Sequence, residues 1–354
     1  MSKFISRRFS ALKAYVPGEQ PKDRKYMKLN TNESPYPPSA GVRRALSDEA
    51  VADLRLYSDP TLSDLKQAFA DYLNVDYDCV FVGNGSDEIL NFVFMTFCDS
   101  EVGVSYPDIS YGFYQVYANL NQLQRNEIPL REDFTIAPED YYNRDTTIVI
   151  ANPNAPTGIC LSVVDIEKIL KANSQRVIVV DEAYIDFGGE SCVPLTKLYD
   201  NILVVQTFSK SRSLAGARIG FAIGNAALIA DLEKIRYSTN PFNVSRMSLL
   251  AGVAALKEQS YYDSNCEKTI QIRDATVIEM KSLGFEVLES CTNFIMTKHN
   301  KITGFELYKG LRERGILVRH FAKPRIDDYI RITIGTAEDM KILCDKLKEM
   351  LENA

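Results

Sequence analysis

The sequence predicts an α/β fold, with a large domain built on a mostly parallel sheet covered by helices on both faces and a smaller α+β domain at the C-terminal end. Three observations predict this fold. Short β-branched runs recur along the middle of the chain, and segments with helical periodicity separate several of them. Turn residues near position 240 precede a region with a different sequence pattern. Strands that alternate with helices form parallel sheets, because each connecting helix packs back onto a face of the sheet.

The predicted strands of the large domain are short apolar runs. In chain order they cover residues 79–82, 146–150, 176–180, 202–206 and 218–223. One of the helices is indicated by apolar side chains at three- and four-residue steps, which line a single helical face: Leu62, Leu65, Phe69 and Leu73.

The C-terminal part has a different pattern. Turn residues at 240–243 precede a long helical stretch that runs toward residue 280, and residues 293–296 and 331–334 are predicted strands. The hydroxyl of Thr336 is expected to cap the last helix together with Asp339. We therefore expect three parts, an N-terminal arm that packs with the small domain, a large α/β domain and a small α+β domain, at residues 1–40, 41–245 and 246–354.

Composition restricts the possible functions. The 354 residues include 41 basic and 47 acidic side chains, for a formal charge of −6, which gives no electrostatic basis for binding nucleic acid or an anionic membrane. The longest apolar run, residues 249–256, is far shorter than a membrane span needs. The seven cysteines lack metal-ligand spacing and are odd in number. A soluble cytoplasmic protein without a metal site is therefore expected.

The strongest chemical signal is the segment Thr207-Phe208-Ser209-Lys210, directly after the strand at 202–206. A lysine at the carboxyl end of such a strand lies in a crevice, where its amine can form a Schiff base. The nearby hydroxyls and the guanidinium of Arg218 can hold a phosphate. An isolated Ser-Lys pair usually marks a solvated lysine, so the interpretation depends on the other segments.

A buried carboxylate and a turn-rich loop support this interpretation. Asp181 ends the apolar run 177–181, and a buried carboxylate is costly unless it meets a cation such as a protonated pyridine nitrogen. The alternative is a helix-capping aspartate. Asn154, in the loop 152–158, and Tyr184 can donate to a phenolic oxygen, although the loop alone can be an ordinary connection.

A glycine-rich turn and a tyrosine complete the set of candidates. Residues 81–88 pass from a strand through Gly85, Ser86 and Asp87 into a helix, whose first N–H groups can bind phosphate. The alternative is a structural turn. Tyr111 can lie against a flat cofactor or simply belong to the core.

In this order, the segments resemble those of fold-type I aminotransferases that use pyridoxal 5′-phosphate, over nearly the whole chain. The closest resemblance is to the histidinol-phosphate aminotransferases. The motifs that carry it are Tyr15-Val16-Pro17-Gly18, residues 29–36, Tyr57-Ser58-Asp59-Pro60, residues 208–210 and 214–216, residues 241–244, residues 314–319 and residues 331–336.

This resemblance implies that pyridoxal 5′-phosphate is the cofactor, joined to Lys210 as a Schiff base and paired with Asp181 through its ring nitrogen. Tyr184 would bond the phenolic oxygen, and Tyr111 would stack on the ring. The cofactor phosphate would be surrounded by Gly85, Ser86, Asp87, Thr207, Ser209 and Arg218.

The resemblance also implies a homodimer, because Tyr57 would reach the cofactor phosphate of the neighbouring subunit. The substrate would contact Tyr15, Asn32, Arg319 and Arg331. Many members of the family have asparagine immediately before Pro-Thr-Gly, where this chain has Ala155. The role of that asparagine is therefore expected to fall to Asn154 through a shifted loop, or to be met by Tyr184 alone.

The activity implied is amino transfer between L-histidinol phosphate and 2-oxoglutarate. A threonine-phosphate decarboxylase and an aromatic aminotransferase share most of these motifs and remain alternatives. A non-enzymatic regulator that senses the cofactor is a remote alternative, because such proteins carry a separate DNA-binding module for which this chain lacks both length and basic charge.

Overall fold

The computed structural model describes residues 2–352. Its strands are β1 (Met27–Lys28), β2 (Val80–Asn84), β3 (Val104–Pro107), β4 (Arg125–Ile128), β5 (Thr147–Ala151), β6 (Ile178–Asp181), β7 (Ile202–Thr207), β8 (Ile219–Gly224), β9 (Phe285–Val287), β10 (Phe294–His299), β11 (Ile316–Leu317), β12 (Arg319–His320) and β13 (Ile330–Thr333). Its α-helices are α1 (Ala40–Ala45), α2 (Asp48–Ala52), α3 (Ser63–Leu73), α4 (Gly85–Phe97), α5 (Phe113–Leu120), α6 (Val163–Ala172), α7 (Ala226–Thr239), α8 (Arg246–Leu256), α9 (Gln259–Ser282), α10 (Gly304–Glu313) and α11 (Ala337–Glu352).

The large domain contains a seven-stranded sheet in the order β2-β8-β7-β6-β5-β3-β4. Strands β4, β3, β5, β6 and β7 pair in parallel, and β8 runs antiparallel to both of its neighbours. Alternate residues of the central strands enter two separate cores, as Val149 and Ile150 do on β5. The predicted α/β class with a mostly parallel sheet is confirmed.

All five strands predicted for the large domain are present, with ends shifted by one or two residues. Two further strands, β3 and β4, were not predicted. Strand β4 lies at the sheet edge and carries Arg125 and Glu127, which form an ion pair of 3.1 Å instead of entering a core. A polar edge strand lacks the apolar pattern on which strand prediction depends.

The small domain has a four-stranded antiparallel sheet in the order β12-β13-β10-β9, packed with α9, α10 and α11 around a third core. The predicted cap of the last helix is confirmed. The backbone N–H and hydroxyl of Thr336 donate to Asp339 Oδ2, and the Asp339 N–H donates back to the Thr336 hydroxyl.

The N-terminal arm contacts both domains. Strand β1 pairs in parallel with β11 of the small domain, and Arg24 donates to the carbonyls of Arg312 and Glu313. Further toward the N-terminus, the ring of Tyr15 stacks on Phe113 of the large domain, with ring centres 4.1 Å apart. The arm thereby spans the opening between the two domains.

The boundary at residue 246 stays a prediction. Helix α8 starts there and packs against α1 and α3 of the large domain. Helix α9 connects the domains, because its early residue Tyr262 lies in the core of the large domain and its late residue Met280 in that of the small domain.

Within residues 2–352, no helix combines the length and apolar character needed to cross a bilayer. Over the same residues, no cluster of three or more potential metal ligands is found. The seven cysteines are all free thiols.

Candidate active site

Most of the predicted cofactor residues meet in a cavity at the carboxyl ends of β5, β6 and β7 and the start of α4. Ligands of open α/β sheets bind at this edge. The lining includes Ser86, Asp87, Tyr111, Asp181, Tyr184, Thr207, Ser209, Lys210 and Arg218.

Lys210 follows the end of β7 and extends its amine into this cavity. Its Nζ donates a long hydrogen bond of 3.4 Å to the Thr31 carbonyl and lies 5.6 Å from the centre of the Tyr184 ring. No carboxylate of the described chain forms an ion pair with it. The amine is therefore held loosely and can react.

Asp181, at the end of β6, is a buried carboxylate. It accepts hydrogen bonds from the Tyr114 hydroxyl at 2.7 Å and the Ala183 N–H at 3.3 Å. Burial raises the pKa of Asp181 to about 6, and nearby Asp87 also raises it, whereas the Tyr114 hydrogen bond lowers it. A buried acid that lines a cavity without a paired cation fits a ligand that brings a positive charge.

Tyr184 and Asn32 join the large domain to the arm. Asn32 Nδ2 donates to the Tyr184 hydroxyl oxygen at 2.9 Å, and Asn32 Oδ1 accepts from Thr333 of the small domain. The Tyr184 ring packs edge-on against Phe294, 5.1 Å away between centres. Because its oxygen already accepts from Asn32, the Tyr184 hydroxyl can donate its own proton into the cavity.

The other end of the cavity suits a phosphate. Helix α4 starts at Gly85, which has φ of +79°, and no N-cap side chain bonds its first turn. On β8, a Cβ at Gly220 would lie only 2.4 Å from the Ser86 backbone nitrogen, so the close approach of strand and helix requires glycine. The donors here are the free N–H groups of α4, the hydroxyls of Ser86, Thr207 and Ser209, and the Arg218 guanidinium.

Asp87 positions two of its neighbours. It accepts from the Tyr111 hydroxyl at 2.7 Å and from Arg218 Nη2 at 2.9 Å. Burial and the Asp87 charge raise the pKa of Tyr111 well above its usual value, so its hydroxyl stays protonated. A carboxylate cannot donate to a phosphate, and Asp87 therefore acts by orienting the ring of Tyr111 and the guanidinium of Arg218.

An outer chamber opens onto Lys210 and Tyr111. All four residues predicted to meet the substrate line it: Tyr15, Asn32, Arg319 and Arg331. The arm supplies two of them and the small-domain sheet the other two, so the chamber exists only where these parts meet the large domain.

Arg319 and Arg331 are direct cross-strand neighbours on β12 and β13. Arg331 Nη2 donates to the Asn30 carbonyl at 3.1 Å, while its buried Nε has no partner, and Arg319 donates only to arm carbonyls. Burial lowers the pKa of Arg331. Like charges directly opposite each other are unfavourable in a sheet. In the described chain no acid pairs with either arginine, so the pair is suited to an anionic ligand.

Asn154 does not take the expected role. Its Nδ2 donates to the Ile109 carbonyl at 3.0 Å and to the Thr157 hydroxyl at 2.9 Å, and its Oδ1 accepts from Ser110. The amide is fully used within the loop, and Ala155 lines the cavity instead. We therefore do not retain Asn154 as a cofactor ligand.

Tyr57 lies outside the cavity of its own chain. Its side chain is 79% exposed and stacks on Phe242, with ring centres 4.6 Å apart. A contact with the cofactor of a neighbouring subunit stays a prediction.

Two residues of the site were not predicted from the sequence. The Thr31 carbonyl accepts from Lys210, and Tyr114 donates to Asp181 from the core side. Backbone carbonyls leave no sequence signal. Tyr114 comes three residues after Tyr111, a spacing that places both on one side of a helix start and could have indicated it.

Comparisons with known proteins agree with this geometry. A family model described as aminotransferase class I and II matches residues 24–347. Over its full length, the chain is 50% identical to a histidinol-phosphate aminotransferase of Brachyspira hyodysenteriae, which is also fully covered. It is 49% identical to histidinol-phosphate aminotransferase 1 of Hydrogenovibrio crunogenus over 99% of each chain. The chain belongs to the histidinol-phosphate aminotransferases, within class I and II.

A solved structure confirms the fold of this aminotransferase. The histidinol-phosphate aminotransferase from Sinorhizobium meliloti, in complex with pyridoxal 5′-phosphate, superposes with a TM-score of 0.88. It covers 100% of this chain and 99% of its own at 23% identity. The similarity establishes the fold-type I architecture.

Proposed function

We propose that this aminotransferase uses pyridoxal 5′-phosphate to convert L-histidinol phosphate and 2-oxoglutarate into imidazole-acetol phosphate and L-glutamate, a step of histidine biosynthesis. The observation that carries the proposal is the unpaired cross-strand arginines, Arg319 and Arg331, in a chamber that opens onto Lys210. A site of this kind binds substrates that carry an anion at a fixed distance from their amine.

The cavity residues fit the cofactor group by group. A phosphate requires hydrogen-bond donors, which the start of α4, the hydroxyls and Arg218 supply. A ring nitrogen that carries a proton requires a buried anion, which Asp181 supplies, and an aldehyde requires a primary amine, which Lys210 supplies. The ring of Tyr111 can stack on the flat face of the cofactor ring. The Tyr184 hydroxyl can donate a hydrogen bond to the cofactor's phenolic oxygen.

When bound, pyridoxal 5′-phosphate supplies an aldehyde carbon that bonds to amines and a ring that withdraws electrons from the substrate's Cα. Lys210 Nζ is the only lysine amine among the lining residues and therefore serves as the base that takes the Cα proton and the acid that returns it. Asp181 keeps a proton on the ring nitrogen through its negative charge. Tyr184, held by Asn32, fixes the orientation of the reacting groups.

Substrate choice follows from the two arginines. Histidinol phosphate carries a phosphate and no carboxylate, whereas glutamate carries two carboxylates. A guanidinium fork matches both kinds of oxygen group, so Arg331 and Arg319 can bind either substrate in turn. Tyr15 and Phe113 form an aromatic wall on the same chamber, suited to a flat side chain.

We also propose that the active unit is a homodimer in which Tyr57 reaches the phosphate of the neighbouring subunit's cofactor. The stack of Tyr57 on Phe242 supports the dimer, because the Tyr57 side chain is 79% exposed. An exposed aromatic pair of this kind is suited to a protein–protein interface. A cytoplasmic location fits seven free cysteines, since reducing compartments preserve thiols.

The test combines labelling with half-reactions. Borohydride reduction of the holoenzyme should attach a pyridoxyl group to Lys210, and a label on another lysine would contradict the proposal. The enzyme is then mixed separately with histidinol phosphate, phenylalanine and threonine phosphate while the cofactor absorbance is followed. We expect fast conversion to the pyridoxamine form with histidinol phosphate. Preference for phenylalanine would indicate an aromatic aminotransferase, and carbon dioxide release from threonine phosphate a decarboxylase.

A further inference from the structure

Tyr114 contacts Asp181 from the side opposite the cavity. It lies in the first turn of α5, is fully buried, and donates its hydroxyl to Asp181 Oδ2 at 2.7 Å. Its ring packs among aromatic neighbours, including Tyr106 and Tyr111 at 5.7 Å between centres. Tyr114 is not part of the cavity lining, so it can act on a bound molecule only through Asp181.

The direction of this hydrogen bond is fixed. Burial and the Asp181 charge raise the pKa of Tyr114 well above its usual value, so the phenol keeps its proton. A protonated phenol next to a carboxylate oxygen must donate. Among residues 2–352, the only other donor to the Asp181 carboxylate is the Ala183 N–H, at a longer 3.3 Å.

The position of Tyr114 is tied to other parts of the site. Its backbone N–H donates to the Tyr111 carbonyl, and the Tyr111 hydroxyl bonds Asp87, which in turn holds Arg218. One short segment thereby supports the ring platform, the phosphate arginine and the buried acid. This arrangement fixes the distance between Tyr114 and Asp181.

We propose that Tyr114 is a positioning residue whose hydroxyl keeps the shared proton on the cofactor's ring nitrogen instead of on Asp181, an inference that rests on the proposed function. A carboxylate and a pyridine nitrogen that face each other share one proton, and the less basic partner releases it. A hydroxyl that donates to the carboxylate stabilises its charged form and makes it less basic.

The surroundings of Asp181 explain why one hydroxyl can decide the position of the proton. Burial is the strongest influence on the pKa of Asp181 and raises it, and the Asp87 charge on α4 adds to this. The Tyr114 bond is the strongest influence that lowers it, followed by the Ala183 N–H and the Lys210 charge. Two further phenols near Asp181, Tyr117 and Tyr184, make no hydrogen bond to its carboxylate.

The first experiment uses the cofactor-free protein and the substitution Tyr114→Phe, which removes only the hydroxyl. Carbon-13 NMR of protein labelled at the aspartate carboxyls, assigned with Asp181→Asn, follows the titration of Asp181. The unsubstituted protein should titrate near pH 6. The variant should titrate about one to two pH units higher, the shift equivalent to one lost hydrogen bond to a charge. An unchanged midpoint would overturn the inference.

Tyr141→Phe is the matched control. Tyr141 is also fully buried in the large domain, but its hydroxyl has no hydrogen-bond partner among the described atoms and it does not line the cavity. Its substitution should leave the titration of Asp181 unchanged. A shift as large as that of Tyr114→Phe would mean that the effect comes from general loosening of the core and would overturn the inference.

The second experiment uses the holoenzyme loaded with cofactor labelled with nitrogen-15 in the ring. The ring resonance of the unsubstituted enzyme should be that of a protonated pyridine, and in Tyr114→Phe it should move toward the unprotonated value. Identical spectra would overturn this inference alone. If the unsubstituted protein takes up no cofactor, the proposed function fails and the inference with it.

A third measurement needs no substitution at position 114, in case that variant does not fold. In cofactor-free protein labelled at the tyrosine Cζ atoms, the Tyr114 resonance should move as Asp181 takes up its proton near pH 6. The movement should disappear in Asp181→Asn. A Tyr114 resonance that does not move when Asp181 is protonated would contradict the proposed hydrogen-bond coupling between the two residues.

Discussion

Arg331→Met should separate substrate binding from stability. Arg331 has an unpartnered Nε and faces the chamber beside Arg319. Hydrogen bonds to charged groups contribute about 1.5–3 kcal/mol each, so losing the guanidinium should cost about 3 kcal/mol of transition-state binding, or roughly 150-fold in kcat/KM. Both half-reactions should be affected, because in the proposed function the same guanidinium binds the phosphate of one substrate and a carboxylate of the other.

The same substitution should change stability little. Loss of the hydrogen bond from Arg331 to the Asn30 carbonyl costs about 0.5–1.5 kcal/mol. Relief of the repulsion between cross-strand arginines offsets about 0.2–1 kcal/mol of this. The melting temperature of the cofactor-free protein should therefore stay within a few degrees of the unsubstituted value.

Single-turnover changes in cofactor absorbance measure the effect with histidinol phosphate and with glutamate, and thermal unfolding measures stability. Arg314→Met is the control, because within residues 2–352 the Arg314 side chain donates only to the Gly310 carbonyl, and it does not line the chamber. Normal rates with both substrates would refute the assignment of Arg331 to the substrate site. A large loss of stability would refute the view that Arg319 and Arg331 repel each other when no anion is bound between them.

Three further predictions follow from particular contacts. Burial raises the pKa of Asp181 to about 6, so as pH falls the folded cofactor-free protein binds this proton before the unfolded chain does. The destabilisation from the buried charge is therefore nearly complete at pH 7 and mostly lost at pH 4. In urea titrations, the advantage of Asp181→Asn over the unsubstituted protein should be about 2 kcal/mol larger at pH 7 than at pH 4; equal differences at both pH values would contradict the raised pKa. Gly220→Ala should lower the unfolding free energy by about 1–3 kcal/mol and weaken cofactor binding in equilibrium dialysis, because its Cβ would meet the Ser86 nitrogen at 2.4 Å; unchanged values would show that β8 can move away. Tyr57→Ala should weaken cofactor binding at least about 10-fold, and activity should return when its subunits are mixed with Lys210→Ala subunits; no recovery would place Tyr57 in its own subunit's site.

The sequence alone was enough to predict the site residues that lie at or after the ends of strands. Lys210, Asp181 and the Gly85-Ser86 turn each follow a short apolar run, and both the run and the chemistry of the next residue are local properties. The carboxyl ends of parallel strands meet at one edge, so a correct list of strands already brings these residues together. The cap at Thr336 was predictable for the same reason, because it involves neighbours three residues apart.

Only the tertiary structure decided how these residues are paired. The sequence cannot show that the Asn154 amide is used by the Ile109 carbonyl and the Thr157 hydroxyl, or that Asp87 holds Tyr111 and Arg218. Such bonds depend on side-chain directions set by packing between segments distant in the chain. Local patterns carry no information about those directions.

The division of the chain shows the same limit. Helix α8 has a long apolar run that fits either domain, and only its contacts show that it packs against α1 and α3. The cross-strand register of Arg319 and Arg331 is likewise set by the pairing of β12 with β13. Residue types and their local spacing determined which chemistry the chain can perform. Long-range packing, whose energy comes from surfaces that meet only in the folded state, decided which groups perform it together.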